Sequence, residues 1–534
     1  MKPKLLLSFF LLLFVCNVLS AQRADTSRFV LMCLAAHPDD EDGASLAYYK
    51  DMFGAKTYSV FFTRGEGGQN ETGPELYKEL AILRTHETEN ASAVVGSHPY
   101  FLNFPDFGYS KTATETYQKW GGHDEVLRRL VYAIRVLKPD VIITNHDVAP
   151  YGGENHGNHQ VVALAALEAF SAAADPAYHP EQFKDPGVTP WQVKKLYFRV
   201  WDEDTATTAS KQSMRDFFQP DVYVPIGKLD PLRGKRFIEI ANESLRKHKT
   251  QGMEYFQAKV DTNARIWYKL VQADANYPEA EINIFSGLVP QPHRTNYNIE
   301  LPKEFASLAY LDAEEPKQGP PPPHVTLGKN ISVGIVQSYD NTMAKALDAL
   351  HTPYTILDSD EIAQGHLRRF TTILVDIRAY AKRPDLVANN KRLLEYVHNG
   401  GNLIVFYQKT FDWKPVFAPY PLTITRDRVT YEDAPITELQ PNDKLFHSPN
   451  EIGTHDWDGW VLERGLYYPA PSKAYTEFLS MSDPGEKPLR TGLLMAHYGS
   501  GTYWYCCLSL YRQLQIQNEG AFKLFANLIS YSTK

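Results

Sequence analysis

Two short runs in this 534-residue chain place histidines and carboxylates at spacings suited to a divalent cation. The first is Ala36-His37-Pro38-Asp39-Asp40-Glu41, which closes the apolar run 29–36 (FVLMCLAA). Three adjacent acidic side chains repel one another in a dry pocket, and a cation turns that conflict into binding. His37 and Asp40 stand three apart, so on a tight turn entering a helix both can face one ion. The second run is Gly152-Gly153-Glu154-Asn155-His156-Gly157-Asn158-His159, in which His156 and His159 repeat that spacing. A structural zinc takes four protein ligands, whereas a catalytic one takes three and keeps an open position. Taken alone, the first run also reads as a helix N-cap, with Asp39 to Asp42 answering the helix dipole. Two histidines on a loop are, by themselves, often just solvated. What joins the runs is their expected position on loops at one edge of a single parallel sheet.

That sheet follows from alternating patterns. Strands are expected at 29–36, 57–63, 99–104 and 141–144, and helices at 41–53, 74–95, 123–137 and 159–173. Such alternation builds an α/β fold, a Rossmann-like, mostly parallel sheet sandwiched by helices. Ligands then bind where loops leave the carboxyl ends of the strands. The pattern restarts after 314–323, where Glu314-Glu315-Pro316-Lys317-Gln318-Gly319 precedes four prolines. Consecutive prolines join neither a helix nor a sheet interior, so this is read as a stiff, extended linker. Beyond it, strands are expected at 331–337, 372–376 and 402–406, with helices at 342–350 and 384–398, then an aromatic-rich tail of mixed strands. The division expected is a leader at 1–21, a first domain at 22–312, a linker at 313–328 and a second α/β domain at 329–534.

The leader is read from Lys2 and Lys4, the apolar stretch 5–19 and the small residues Ser20-Ala21, the layout of a secretory signal peptide. A lipid anchor at Cys16 is disfavoured because Val15 stands where a small residue is wanted. No later stretch is long and apolar enough for a membrane span, so the mature chain is expected to be secreted or periplasmic. Formal net charge is −8, and removing Lys2 and Lys4 leaves 53 basic against 63 acidic residues. Nucleic acid binding relies on clustered Lys and Arg and is not expected. Loss of the leader leaves Cys33, Cys506 and Cys507, which form neither a disulfide framework nor a thiolate metal site. Several motifs fail: Asn70 occupies the third glycine position of a dinucleotide fingerprint, Asn90 replaces the second histidine of a zincin helix, and no Gly-x-Ser-x-Gly elbow occurs.

Over about residues 28–290 the chain resembles the PIG-L/LmbE-like zinc de-N-acetylases. The family's Ala-His-Pro-Asp-Asp-Glu stands unaltered at Ala36 to Glu41, and its Thr-x-Gly-Glu-Gly resembles Thr63-Arg64-Gly65-Glu66-Gly67. Arg84 to Glu87, Pro139-Asp140-Val141, His248 to Gln251 and Phe285-Ser286-Gly287-Leu288 follow in the family's order. The resemblance implies that His37, Asp40 and His159 hold Zn2+, that Asp39 is the base toward the attacking water, and that His156 steadies the oxyanion or protonates the amine. It also implies an N-acetylated sugar or glycoconjugate as substrate. On the loop after the second strand, Arg64 is expected near the site mouth and, with Glu66, as a substrate contact; a solvated surface arginine is the competing reading. Where the family commonly has His-Pro-Asp-His, this chain has His156-Gly157-Asn158-His159, so contacts behind His156 or His159 differ. A different sugar amide, or glycan binding without turnover, are the competing readings; an intact Asp39 argues against the second.

The second domain resembles a class I glutamine-amidotransferase-like or ThuA-like, flavodoxin-like fold. The strand 372–376 leads into Ile377-Arg378-Ala379 with no cysteine at the elbow, so this domain is expected to be non-catalytic. Aromatic residues in 457–468 are expected mainly to pack a core.

Overall fold

The structure is a computed structural model that describes residues 29–148, 155–201, 220–277, 280–289, 308, 310–311 and 324–531. The expected leader, the prolines of the linker, and Gly152, Gly153 and Glu154 lie outside the described residues. Among the described residues, no helix is long and apolar enough to cross a membrane.

Strand β1 (Val30–Ala35) is buried along its whole length, as a central strand covered on both faces must be. It pairs in parallel with β2 (Lys56–Phe61) and β4 (Val141–Thr144). The strands β3 (His98–Phe101) and β5 (Lys195–Val200) extend the parallel set on either side. Two antiparallel strands, β6 (Val222–Val224) and β7 (Ile266–Ala273), finish the far edge, giving the order β3-β2-β1-β4-β5-β7-β6. Helices cover both faces. Leu130, Ile134, Val162 and Ala166 pack with Met32 and Leu34 on one side, and Leu46, Tyr49 and Phe237 with Leu31 and Cys33 on the other. The alternating mostly parallel sheet is thus present; the antiparallel edge and the helix Phe237–Leu245 lie beyond residue 173, where the periodic reading ended.

A second seven-stranded sheet carries the later residues. Here β8 (Val333–Val336), β9 (Tyr354–Ile356), β10 (Thr372–Val375) and β11 (Asn402–Phe406) run parallel, and Gly501–Cys506 joins β11 in the same sense. Leu493–Tyr498 pairs antiparallel with Gly501–Cys506. The chain after β10 turns sharply at Arg378, a left-handed residue at φ 50°. Its side chain donates to Asp412 Oδ2 at 2.9 Å rather than offering any nucleophile. Of the expected core aromatics, Trp457, Trp460 and Tyr468 are buried. Cys33, Cys506 and Cys507 are free thiols in the core.

Ion pairs hold the two sheets' units together. Lys111 Nζ reaches Asp483 at 2.8 Å and Glu486 at 2.7 Å, and Lys119 reaches Glu432 at 2.7 Å. Glu71 is half-buried against Arg378, Lys382 at 3.3 Å and Lys409 at 3.1 Å.

Candidate active site

The segment after β1 forms a tight turn before the helix Gly43–Phe53. Asp42 is that helix's N-cap, accepting from the Ser45 amide at 2.9 Å. Capping therefore occupies one acidic residue and leaves Asp39, Asp40 and Glu41 for other partners. Asp39 sits at φ 84°, a conformation costly for a residue with a Cβ and typically kept at functional positions. Its backbone is pinned there by the Glu41 carboxylate, which accepts the Asp39 amide at 3.0 Å. Glu41 in turn meets the buried His248 at 3.2 Å.

Asp40 is the hub. Its Oδ2 lies 3.0 Å from His37 Nδ1, 3.4 Å from His159 Nε2 and 3.7 Å from His146 Nε2. His156 completes the cluster, its ring 3.9 Å from that of His159 and 5.3 Å from that of His37. Four histidines and Asp40 therefore converge, with His146 joining the His37, Asp40, His156 and His159 expected from the sequence. His146 was not anticipated. It stands alone in Asn145-His146-Asp147, but directly after β4, at the same sheet edge that presents His37 after β1; position, not motif, was its signal. The Nε2 of His146 also accepts the Ala36 amide at 3.0 Å, tying the two loops.

The donor set fits a divalent cation. One nitrogen each from His37, His156 and His159 lie within 4.8 Å of one another, as do donor atoms of Asp40, His146 and His159. Imidazole and carboxylate donors suit zinc and neighbouring transition metals. The helix Gly157–Ala172 begins two residues before the expected 159, with His156 as its N-cap. Gly157 is required there because a Cβ would meet Ser110 Oγ at 2.6 Å and collide with the Thr112 carbonyl. Asn158 is fully buried, accepts from Thr116 at 2.9 Å, and brings its Nδ2 within 3.2 Å of His37 Nε2.

Electrostatics separate the group's members. Burial, reinforced by Asp40, pushes the Asp39 carboxyl up to about 7. Burial would raise Asp40 as well, but His159, His37 and His146 hold it well below the usual carboxylate range. For His37 burial works downward, yet its bond to Asp40 carries it up to about 9. Burial and the neighbouring imidazoles keep His146 and His156 well below the usual histidine value. Two carboxylates adjacent in the chain are thereby driven apart, Asp40 held ionised and Asp39 raised toward neutral pH.

These groups face a cavity of about 320 Å3 that Arg84, Asp106 and Gln251 also line. Arg64 and Glu66, expected as substrate contacts, do not line it. The Arg64 guanidinium is buried over the Phe101 ring at 4.0 Å and donates to Asn103 at 2.8 Å and Thr85 at 2.7 Å. The Glu66 carboxylate accepts the Asp106 amide at 2.8 Å and the Tyr310 hydroxyl at 3.0 Å. Both act behind the cavity wall, shaping the loops that form it. The Arg84–Glu87 motif does similar work: Arg84 Nε donates to Thr250 Oγ1 at 3.2 Å, while Glu87 accepts the Thr250 amide at 2.9 Å. That clamp holds the 248–251 segment over Asp39 and Glu41.

Residues 32–170 match the family described as GlcNAc-PI de-N-acetylase, PIG-L. The chain is similar to 1D-myo-inositol 2-acetamido-2-deoxy-alpha-D-glucopyranoside deacetylase 1 of Catenulispora acidiphila, 29% identical over 300 residues, which cover 48% of this chain and 89% of that protein. A deacetylase of the same name without the numeral, from Thermobifida fusca, is 34% identical over 185 residues, 31% of this chain and 60% of the relative's length. Among solved structures, N,N'-diacetylchitobiose deacetylase from Pyrococcus horikoshii is similar at 20% identity and TM-score 0.32, covering 47% of this chain and 81% of that one.

Proposed function

Starting from the match of residues 32–170 to the PIG-L de-N-acetylase family, we propose that this chain is a secreted, zinc-dependent amide hydrolase that removes the acetyl group from an N-acetylated sugar or glycoconjugate. The observation that carries this reading is the convergence on Asp40 Oδ2 of His37 at 3.0 Å and His159 at 3.4 Å, beside an Asp39 carboxyl raised to about 7. The names of the similar deacetylases support an N-acetylglucosamine-containing substrate.

His37, Asp40 and His159 would hold the cation, with His146 fixing the orientation of the Asp40–His159 pair. When bound, such a cation polarises an acetamide carbonyl and makes water a competent nucleophile near neutral pH. Asp39 takes the proton from the attacking water and later delivers it to the sugar nitrogen. As the carbonyl carbon gains its new C–O bond, negative charge gathers on the carbonyl oxygen. A neutral His156 donates a hydrogen bond there; its buried Nδ1 has no partner among the described residues. Breakage of the C–N bond then releases acetate and the free amino sugar.

The test is acetate release from N-acetylglucosamine-containing substrates by the metal-replete chain. Asp39→Asn retains the left-handed backbone that Asn tolerates, so it should lower kcat by about 10²–10⁴-fold with metal content unchanged. Unchanged turnover in that variant would remove Asp39 from the reaction.

A further inference from the structure

The cavity above the histidine cluster has two walls from different parts of the fold. One is the metal-site side; the other comes from the second sheet's unit and presents Lys409, Arg428, Glu463, Tyr467 and Arg512. The contact is fixed, since Lys111, which lies two residues from the cavity-lining Tyr109, donates to the Arg428 carbonyl at 3.0 Å as well as pairing with Asp483. The basic groups on this roof differ in what they already hold. Lys409 is paired with Glu71 at 3.1 Å. The Arg428 guanidinium lies over the Tyr109 ring at 4.0 Å and the Tyr467 ring at 5.1 Å. Arg512 is 3% exposed, yet its Nε and Nη1 have no hydrogen-bond partner among the described residues. Burying a cation with unmet donors is unfavourable unless an acceptor is supplied. Glu463 is the single carboxylate on this wall, so the two guanidinium groups leave it net positive.

The opposite wall has the reverse character, with three carboxylates, Asp39, Asp40 and Asp106, against one guanidinium, Arg84, facing the same space. A ligand spanning the cavity is thus sorted end to end: its acetamide toward the acidic, metal-holding floor and an acceptor-rich group toward the roof. Planar guanidinium groups match the geometry of a carboxylate, sulfate or phosphate, and the two tyrosine rings beside Arg428 offer flat faces to a sugar ring.

We propose that the second α/β unit completes the substrate site, and that Arg428 and Arg512 bind an oxyanion substituent carried by the N-acetylated sugar. This rests on the deacetylase reading for the floor of the cavity but adds a substrate class, an acidic amino sugar, and a function for a domain expected to be non-catalytic.

The experiment uses the full-length chain and four sugars: N-acetylglucosamine, its 6-sulfate, its 6-phosphate, and N-acetylmuramic acid. Both kcat/KM for acetate release and equilibrium binding by calorimetry are measured. At least one acidic sugar should exceed the neutral one by about tenfold or more, the scale of a hydrogen bond to a charged group, and the winning sugar identifies the oxyanion. Arg512→Gln and Arg428→Gln should each bring that ratio toward unity, mainly through KM. Lys391→Gln, on the exposed surface of the same unit, should leave the ratio as it is. Should Arg512→Gln lower the melting temperature, Arg512→Lys, which keeps the charge, and Arg428→Gln carry the comparison. Equal affinity for acidic and neutral sugars, or an acid preference that survives in both folded Gln variants, overturns the proposal. Acidic sugars that bind selectively without releasing acetate would instead overturn the deacetylase reading and leave the roof's role standing.

Discussion

The amide of Asn158 accepts from Thr116 and turns its Nδ2 toward His37 Nε2 at 3.2 Å. The position at which this chain departs from the commoner His-Pro-Asp-His pattern is therefore in contact with a proposed ligand, not incidental to the site. Groups that orient a ligating imidazole tune metal affinity without touching the metal. Asn158→Ala should weaken metal affinity by about 10–100-fold, read by equilibrium dialysis of the folded protein. Affinity equal to that of the unaltered chain would show that the contact does not orient His37. The same scale explains why Arg64 misled the sequence reading. An arginine after a strand end looks available, but Asn103, Thr85 and the Phe101 ring take up its guanidinium, and those partners come from segments about 20 to 40 residues further on.

At the scale of elements, the site depends on how two helices begin. The helix Gly43–Phe53 starts from an Asp42 cap, which fixes Asp39 to Glu41 as a turn rather than as helix. The helix Gly157–Ala172 starts hard against the 110–112 turn, where the Gly157 amide donates to the Ser110 carbonyl at 2.7 Å. Any side chain at 157 forces that helix outward and carries His156 and His159 with it. Gly157→Ala should cost about 1–3 kcal/mol of stability, typical of overpacking, seen as a lower denaturant midpoint, and metal should be lost with it. Full stability would mean that the 110–112 turn yields easily. Strands β1 and β4 were legible because a buried parallel strand is a continuous apolar run. The starts of these two helices, expected at 41 and 159, were off by two residues because caps are set by single side chains that periodicity does not register.

Across the whole molecule, Glu71 is the half-buried anion on which Arg378, Lys382 and Lys409 of the second sheet's unit converge. Burial alone would raise its carboxyl, but Lys409 and Arg378 lower it below the usual glutamate value. A carboxylate lowered in the folded state stabilises the fold fully above its unfolded value, about 4.3. That contribution is lost as pH falls through the lowered folded value. Glu71→Gln should therefore destabilise the protein at pH 7 by about 1–3 kcal/mol, as for a lost hydrogen bond to a charged group. The gap in melting temperature between variant and parent should close as pH drops below about 4. A gap that stays constant with pH would mean the loss comes from packing and not from charge.

The sequence by itself determined the local chemistry. A histidine and two aspartates follow a buried strand, a His-x-x-His precedes a helix, and alternating runs put both at one sheet edge; all of this depends on residues close in the chain, where periodicity and turn preference act. The tertiary structure alone decided three things. It recruited His146, which has no motif, into the cluster around Asp40. It assigned Arg84, not Arg64, to the cavity wall. And it closed the site with Arg428 and Arg512, more than 250 residues from His159. Such contacts arise from how two separately built sheets dock through the Lys111, Lys119 and Glu71 ion pairs. No pattern within either unit encodes that docking, because the charges that make it look like ordinary solvated surface until the partner surface is present.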